Sequence, residues 1–273
     1  MAALRGGGPR SPEGRPQAGA PTSRVLRSRK GALAEGWRAA ASTWRSQPPE
    51  RYRRGYRVDF QERLAGLLRP GMAVLDVGAG GQPSLEAAKR PPGCHWVGLD
   101  VSAAELAKAP PGSYDEVAVG SVTELVPSLV GGFDLVLSFQ VLEHVKPLDR
   151  AIDNIEAYLK PGGWFLGQLS GALTIFALLN RLLPHRLSIW ALKTLRHRAP
   201  ETVFPAHYHH CWARALERDF LSWSSCQVLP NYLGSDYLSF FRPLQALHVG
   251  YEEWAMRAGH ANLASHYLVV ARR

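Results

Sequence analysis

The run Val74-Leu75-Asp76-Val77-Gly78-Ala79-Gly80-Gly81 constrains this chain more than any other stretch, because a short apolar segment carrying one acid breaks abruptly into glycines. Residues 74–77 read as a buried parallel strand. Gly78 and Gly80 allow the backbone to turn sharply and to approach a ligand with no Cβ in the way. Residues 84–89 are expected to form a helix behind the loop. Strand, glycine loop and helix in that order put a ligand at the carboxyl end of a strand, where open α/β sheets bind.

The rest of the chain repeats the alternation. Residues 58–69 carry Phe60, Leu64, Leu67 and Leu68 at helical spacing, and Pro70-Gly71 ends the helix. Strands are expected at 96–99, closing on Asp100, and at 116–119, 133–138 and 164–169, with helices at 103–108 and 147–159 and a turn at 160–163. Such alternation specifies an α/β fold with a doubly wound, mostly parallel sheet. The pattern changes at 172–198, where apolar residues (Leu173, Phe176, Leu179, Trp190) stand beside cations (Arg181, Arg186, Lys193, Arg196) and Pro184 divides the segment. It reads as a helical cap inserted after strand five, within 171–224. Residues 225–229 and 265–271 supply closing strands.

The net charge of +9 suggests nucleic acid until its location is considered. Residues 1–57 hold thirteen Lys or Arg against three acids, so the totals of 32 and 23 leave nineteen against twenty for the remainder. The basicity belongs to an N-terminal arm, expected to be disordered over 1–35, ahead of one domain over 36–273. Three cysteines without Cys-x-x-Cys spacing argue against a disulfide framework or a structural zinc, and the expected compartment is the reducing cytoplasm. No apolar run approaches the ~18–20 residues of a membrane span.

Four segments together resemble the class I S-adenosylmethionine-dependent methyltransferases, in particular the branch sharing the small-molecule methyltransferase domain of ubiquinone and menaquinone biosynthesis. They are 74–80, then Val97-Gly98-Leu99-Asp100, then 133–138 followed by Val141-Leu142-Glu143-His144-Val145, and finally Leu159-Lys160-Pro161-Gly162-Gly163. The resemblance implies a Rossmann-like seven-stranded sheet with an antiparallel last strand, and S-adenosyl-L-methionine as cofactor. It implies a cofactor site formed by Asp76, Gly78, Ala79, Gly80, Gly81, Asp100, Val101, Ser121, Val122 and Gln140. Asp100, at the end of the second strand, is placed to hold the ribose hydroxyls, and Asp76 either meets the cofactor or braces the loop by accepting backbone amides. A nicotinamide fingerprint would need glycine at 83, where Pro83 stands. Two positions depart from the family pattern: Gln82 replaces a third alternate glycine, and Ser121 stands where an acid often holds the adenine amino group.

On the acceptor side His144 is the candidate general base, because its loop borders the pocket and imidazole titrates near neutrality. Tyr208 and His209 are candidate acceptor contacts. The cluster His207-Tyr208-His209-His210-Cys211 lacks a carboxylate of its own, so no metal site is expected. The mixed apolar and basic cap suggests a small-molecule or lipid-like acceptor, with oxygen as the expected atom of methylation and peripheral membrane contact through 172–198 as a further expectation. A non-catalytic cofactor-fold partner and an RNA methyltransferase using the arm are the alternatives, the near-neutral domain making nucleic acid the lesser partner.

Overall fold

The computed structural model describes residues 49–174, 206–234 and 242–273. The expected arm at 1–35 and most of the expected cap at 171–224, including Pro184, lie outside them. Seven strands form one sheet in the order β3-β2-β1-β4-β5-β7-β6. They are β1 Ala73–Val77, β2 His95–Asp100, β3 Glu116–Val119, β4 Phe133–Phe139, β5 Leu159–Ser170, β6 Ser225–Asn231 and β7 His266–Arg272. The pairs β1–β2, β1–β4, β2–β3 and β4–β5 are parallel, whereas β7 runs antiparallel to both neighbours, as expected of the last strand. The turn expected at 160–163 persists as an irregularity at the head of β5, where Gly162 has φ 77 and the pairing register with β4 slips.

Alternation along the strands divides the core between two faces. On one face Val74, Leu135, Leu137, Leu166 and Leu268 meet Phe60 and Leu64 of a helix, Tyr56–Leu67, which follows a short turn of helix at Arg51–Arg54; these are α2 and α1. On the other, Leu75, Val77, Val136 and Phe165 meet Leu148, Ala151, Ile152 and Ile155 of a helix at Leu148–Tyr158. With the single turn Ala103–Leu106 numbered α3, this helix is α4; Ala213–Asp219 is α5 and Arg242–Arg257 is α6.

Two expectations need correction. No α-helix follows the glycine loop: residues 84–89 yield only a 3₁₀ turn, Ala87–Lys89. Pro83 and the Pro91-Pro92 pair leave too few free residues for a helix to nucleate, and Ser84 is committed elsewhere. Helix α6 was not anticipated. Its Glu252 and Glu253 are buried but partnered at long range: Glu252 accepts the Tyr52 hydroxyl (2.7 Å) and the Gly234 amide (2.7 Å), and Glu253 pairs with Arg51. No helix among the described residues is long and apolar enough to cross a membrane.

His266 opens β7 with no exposed surface and stacks on Tyr56 at 4.4 Å. Burial holds its imidazole down at about 4. Between the ordinary histidine value and 4 the unfolded chain therefore binds a proton that the folded chain refuses. Stability from this residue is present above about pH 6.5 and is lost as pH falls toward 4, on the order of 3 kcal/mol across the window. Chemical denaturation at stepped pH should show this slope, and His266→Gln should flatten it.

Candidate active site

The loop after β1 is fixed by contacts that its own glycines permit. Gly78 (φ 72) and Ala79 both donate their amides to the Leu99 carbonyl, at 2.8 and 3.2 Å, so the loop folds across the end of β2. Gly80 (φ 46) donates to Asp100 Oδ2 at 3.0 Å, while Ser102 donates to Asp100 Oδ1 at 2.9 Å. The Asp100 carboxylate is thereby immobilised and half-buried, with lone pairs left for a ligand hydroxyl. Gly81 packs against α3, where an added Cβ would lie 3.0 Å from Lys108 Cβ. Val101 projects into solvent.

Asp76 takes the bracing role. It is 1% exposed and accepts the Ser84 amide (2.7 Å) and the Ser84 hydroxyl (2.6 Å), one on each oxygen. Burial pushes its carboxyl above the usual range, and the two Ser84 hydrogen bonds oppose that shift. Beyond the loop, Ser121 shares a 2.7 Å hydrogen bond with Thr123, and the Val122 side chain turns into the core while its carbonyl accepts Asn154 Nδ2 at 2.8 Å. Val122 thus leaves only its backbone for a cofactor.

The carboxyl ends of β4 and β5 hold the other half of the site. Gln140 sits in the left-handed region (φ 58); its amide donates to the Gln168 carbonyl (2.7 Å) and its Oε1 accepts the Ser170 hydroxyl (2.9 Å). Among the described residues its Nε2 is buried without a partner, as are Ser138 Oγ, Glu143 Oε2 and Gln168 Oε1. Buried polar atoms are rarely orphaned, so four of them at one end of two adjacent strands mark a place where a ligand or water completes the structure. Beside them, Tyr56 stacks against Phe139 at 6.1 Å, and the Arg57 guanidinium lies 4.9 Å over the same ring.

Glu143, Arg57 and the orphaned pair Ser138 and Gln168 escaped the sequence reading. Glu143 lay within a quoted segment, but its 4% exposure and its Oε1 contact with the Ser170 amide (3.3 Å) are tertiary facts. Burial pushes the Glu143 carboxyl up. Next to it, His144 lies in the 3₁₀ turn Leu142–His144, half-buried on the same loop.

The Glu143 carbonyl accepts the amides of His207 and Tyr208, both at 2.9 Å, and so docks the 206–212 segment on the loop after β4. Tyr208 does not offer its ring to a pocket: it is 5% exposed and belongs to the core, because left-handed backbone (φ 50) turns the side chain inward. His209 accepts the Leu148 amide on Nδ1 at 3.2 Å and so serves the N-terminus of α4.

The residues fit S-adenosylmethionine. Positive-φ glycines form a loop open to a methionyl group, Asp100 is a fixed acceptor at the end of β2 for hydroxyl donors, and Gln140 Nε2 is a buried donor awaiting an acceptor. Gly78 is the most demanding position, since an added Cβ would lie 2.2 Å from Val141 Cγ2 on top of the unfavourable φ. Gly78→Ala should cost about 2–4 kcal/mol in chemical denaturation. Adding Val141→Ala should recover the steric part and leave the backbone part.

Comparison with known proteins agrees with this geometry. A family model described as a methyltransferase domain matches residues 49–223, more than half of the chain. No curated protein matches. Among solved structures, Haemonchus contortus phosphoethanolamine N-methyltransferase 2 in complex with S-adenosyl-L-methionine is 16% identical with a TM-score of 0.49, covering 80% of this chain and 52% of its own. This chain thus spans about half of that relative's length. A S-adenosylmethionine-dependent methyltransferase from Archaeoglobus fulgidus is 17% identical with a TM-score of 0.49, covering 81% and 96%. On the strength of the matched domain, the chain belongs to the methyltransferase domain family.

Proposed function

We propose that the enzyme methylates a small-molecule or lipid-like acceptor at oxygen. The observation carrying this reading is the mixed lining at the ends of β4 and β5, where buried unpartnered polar atoms adjoin the Tyr56–Phe139 aromatic surface. An acceptor with an apolar body and a hydroxyl suits both. The bound cofactor would supply an electrophilic methyl on its sulfonium.

The backbone of Gly78, Ala79, Gly80 and Gly81 holds the methionyl end, and Asp100 accepts the ribose hydroxyls. Ser121 and the Val122 backbone border the adenine, and Val101 covers it from the solvent side. Arg57, whose described contact is a ring and not a carboxylate, is free to meet an anion at the mouth. Acceleration then rests on holding the hydroxyl in line with the methyl in a site shielded from water. His144 would accept the proton of the acceptor hydroxyl, and the bound cofactor would supply the methyl and leave as its demethylated thioether. The Glu143 carboxyl, pushed up by burial, stands beside His144 on the same loop.

Calorimetry tests the cofactor half. The purified chain should bind S-adenosylhomocysteine, and Asp100→Ala should weaken binding about 10–100-fold by removing charge-assisted hydrogen bonds; unchanged affinity removes Asp100 from the site. For the acceptor, labelled methyl transfer across a panel of hydroxylated compounds, amines and RNA should favour the first group. Transfer confined to amines or RNA overturns the oxygen reading.

A further inference from the structure

The segment that docks on the loop after β4 and leads into α5 places two histidines where an extended chain could not. Side chains of successive residues in extended backbone point to opposite sides. His210 instead adopts φ 56, a conformation costly for a residue with a Cβ, and its ring stacks on that of His209 with centroids 3.9 Å apart. The first turn of α4 adds Asp149, the carboxylate missing from the local sequence. One ligand atom from each of Asp149, His209 and His210 lies within 4.8 Å of the others.

From this arrangement we propose that Asp149, His209 and His210 bind a divalent transition-metal ion, zinc foremost, independently of the methyl-transfer reading. Two imidazoles and one carboxylate leave a fourth position to water, a set common to zinc and other borderline metals. Zinc with ligands at about 2.0–2.1 Å needs ligand atoms roughly 3.3–3.5 Å apart, so binding would draw the three groups together and turn the stacked rings toward the ion.

The surroundings suit the ion. Asp219, its side chain 3% exposed, holds His210 Nδ1 at 2.7 Å, which orients the ring and leaves Nε2 for the metal. The Leu148 amide meets His209 Nδ1 at the long distance of 3.2 Å, so an ion at that nitrogen replaces a weak hydrogen bond. Lys146 and Arg218 are the opposing cations. Arg218 lies 3.1 Å from His210 Nδ1 and 3.3 Å from Nε2 and pairs with Asp219 Oδ1 at 2.9 Å; its side chain is 57% exposed, so an ion at Nε2 displaces it toward solvent. With His207 and Tyr208 already hydrogen-bonded to Glu143, a bound ion would clasp the 206–219 segment to α4 beside the active-site loop.

The full chain, stripped with chelator and with its cysteines alkylated, is titrated with zinc chloride by calorimetry and with cobalt(II) by visible absorption. One equivalent bound at micromolar affinity or tighter is expected, with a d–d spectrum of imidazole and oxygen ligation. Asp149→Asn and His210→Ala should each weaken binding at least about 10-fold, and Asp219→Asn about 10–100-fold. Circular dichroism confirms that each variant is folded, and the conservative Asp219→Asn keeps the test decisive if His210→Ala is not. The proposal is overturned if the wild-type chain binds no zinc at micromolar concentrations, or if the folded variants bind as tightly as wild type.

Discussion

The site depends on the bond between Asp76 and Ser84. In a sheet of this kind the chain leaving the first strand is ordinarily steadied by a helix, whose own hydrogen bonds fix the turn. Here the chain has one 3₁₀ turn and several prolines instead, so one buried carboxylate holds both the amide and the hydroxyl of a residue eight positions on. Arg90 secures the far end, bonding the Leu85 carbonyl through Nε (3.1 Å) and Nη2 (2.8 Å) while stacking on Trp96. Burying a carboxylate is costly unless its oxygens are hydrogen-bonded. That cost makes the loop conformation obligatory, because any other path orphans Asp76.

Sheet order converts this local brace into a site. β1 lies between β2 and β4, so the loop after β1 is flanked by Asp100 on one side and by Gln140 on the other. The antiparallel insertion of β7 beside β5 brings His266 to the same end as Ser170, its register partner. Tyr56, at the start of α2, then covers His266 and Phe139 together. Residues from four distant parts of the sequence thus converge because strand polarity delivers them to one edge.

Much of this was legible in the sequence, and the exceptions share a cause. Strands β1, β2 and β4 are mostly apolar runs with turn residues at their ends, so local pattern and tertiary role agree. Helix α6 breaks its apolar stripe with Gly250, Glu252 and Glu253, which make sense only when Tyr52, Arg51 and Gly234 are brought against them. Ser84 looked like a helix start because a serine often is one; its hydroxyl is engaged by an acid one strand away. The relation of His209 to His210 depends on a left-handed residue that no spacing rule anticipates in a histidine, and Asp149 is distant in sequence. The cofactor half rests on local motifs and was readable, whereas the acceptor half rests on long-range contacts and was not.

The placement of β7 also constrains how the fold can be reached. Among the described residues β6 pairs with β7 alone, and β7 pairs with β5 on its other side. During synthesis β6 leaves the ribosome before β7, and residues 232–265 must follow before its sole partner arrives. Until then β6 is an unpaired edge with an apolar flank, and β5 is an open edge on the growing sheet. Closing that long loop is an entropic barrier that cannot be crossed early. A nascent chain paused between these strands would hold a preformed cofactor loop beside an unfinished acceptor wall, and is the species on which a holding chaperone would act.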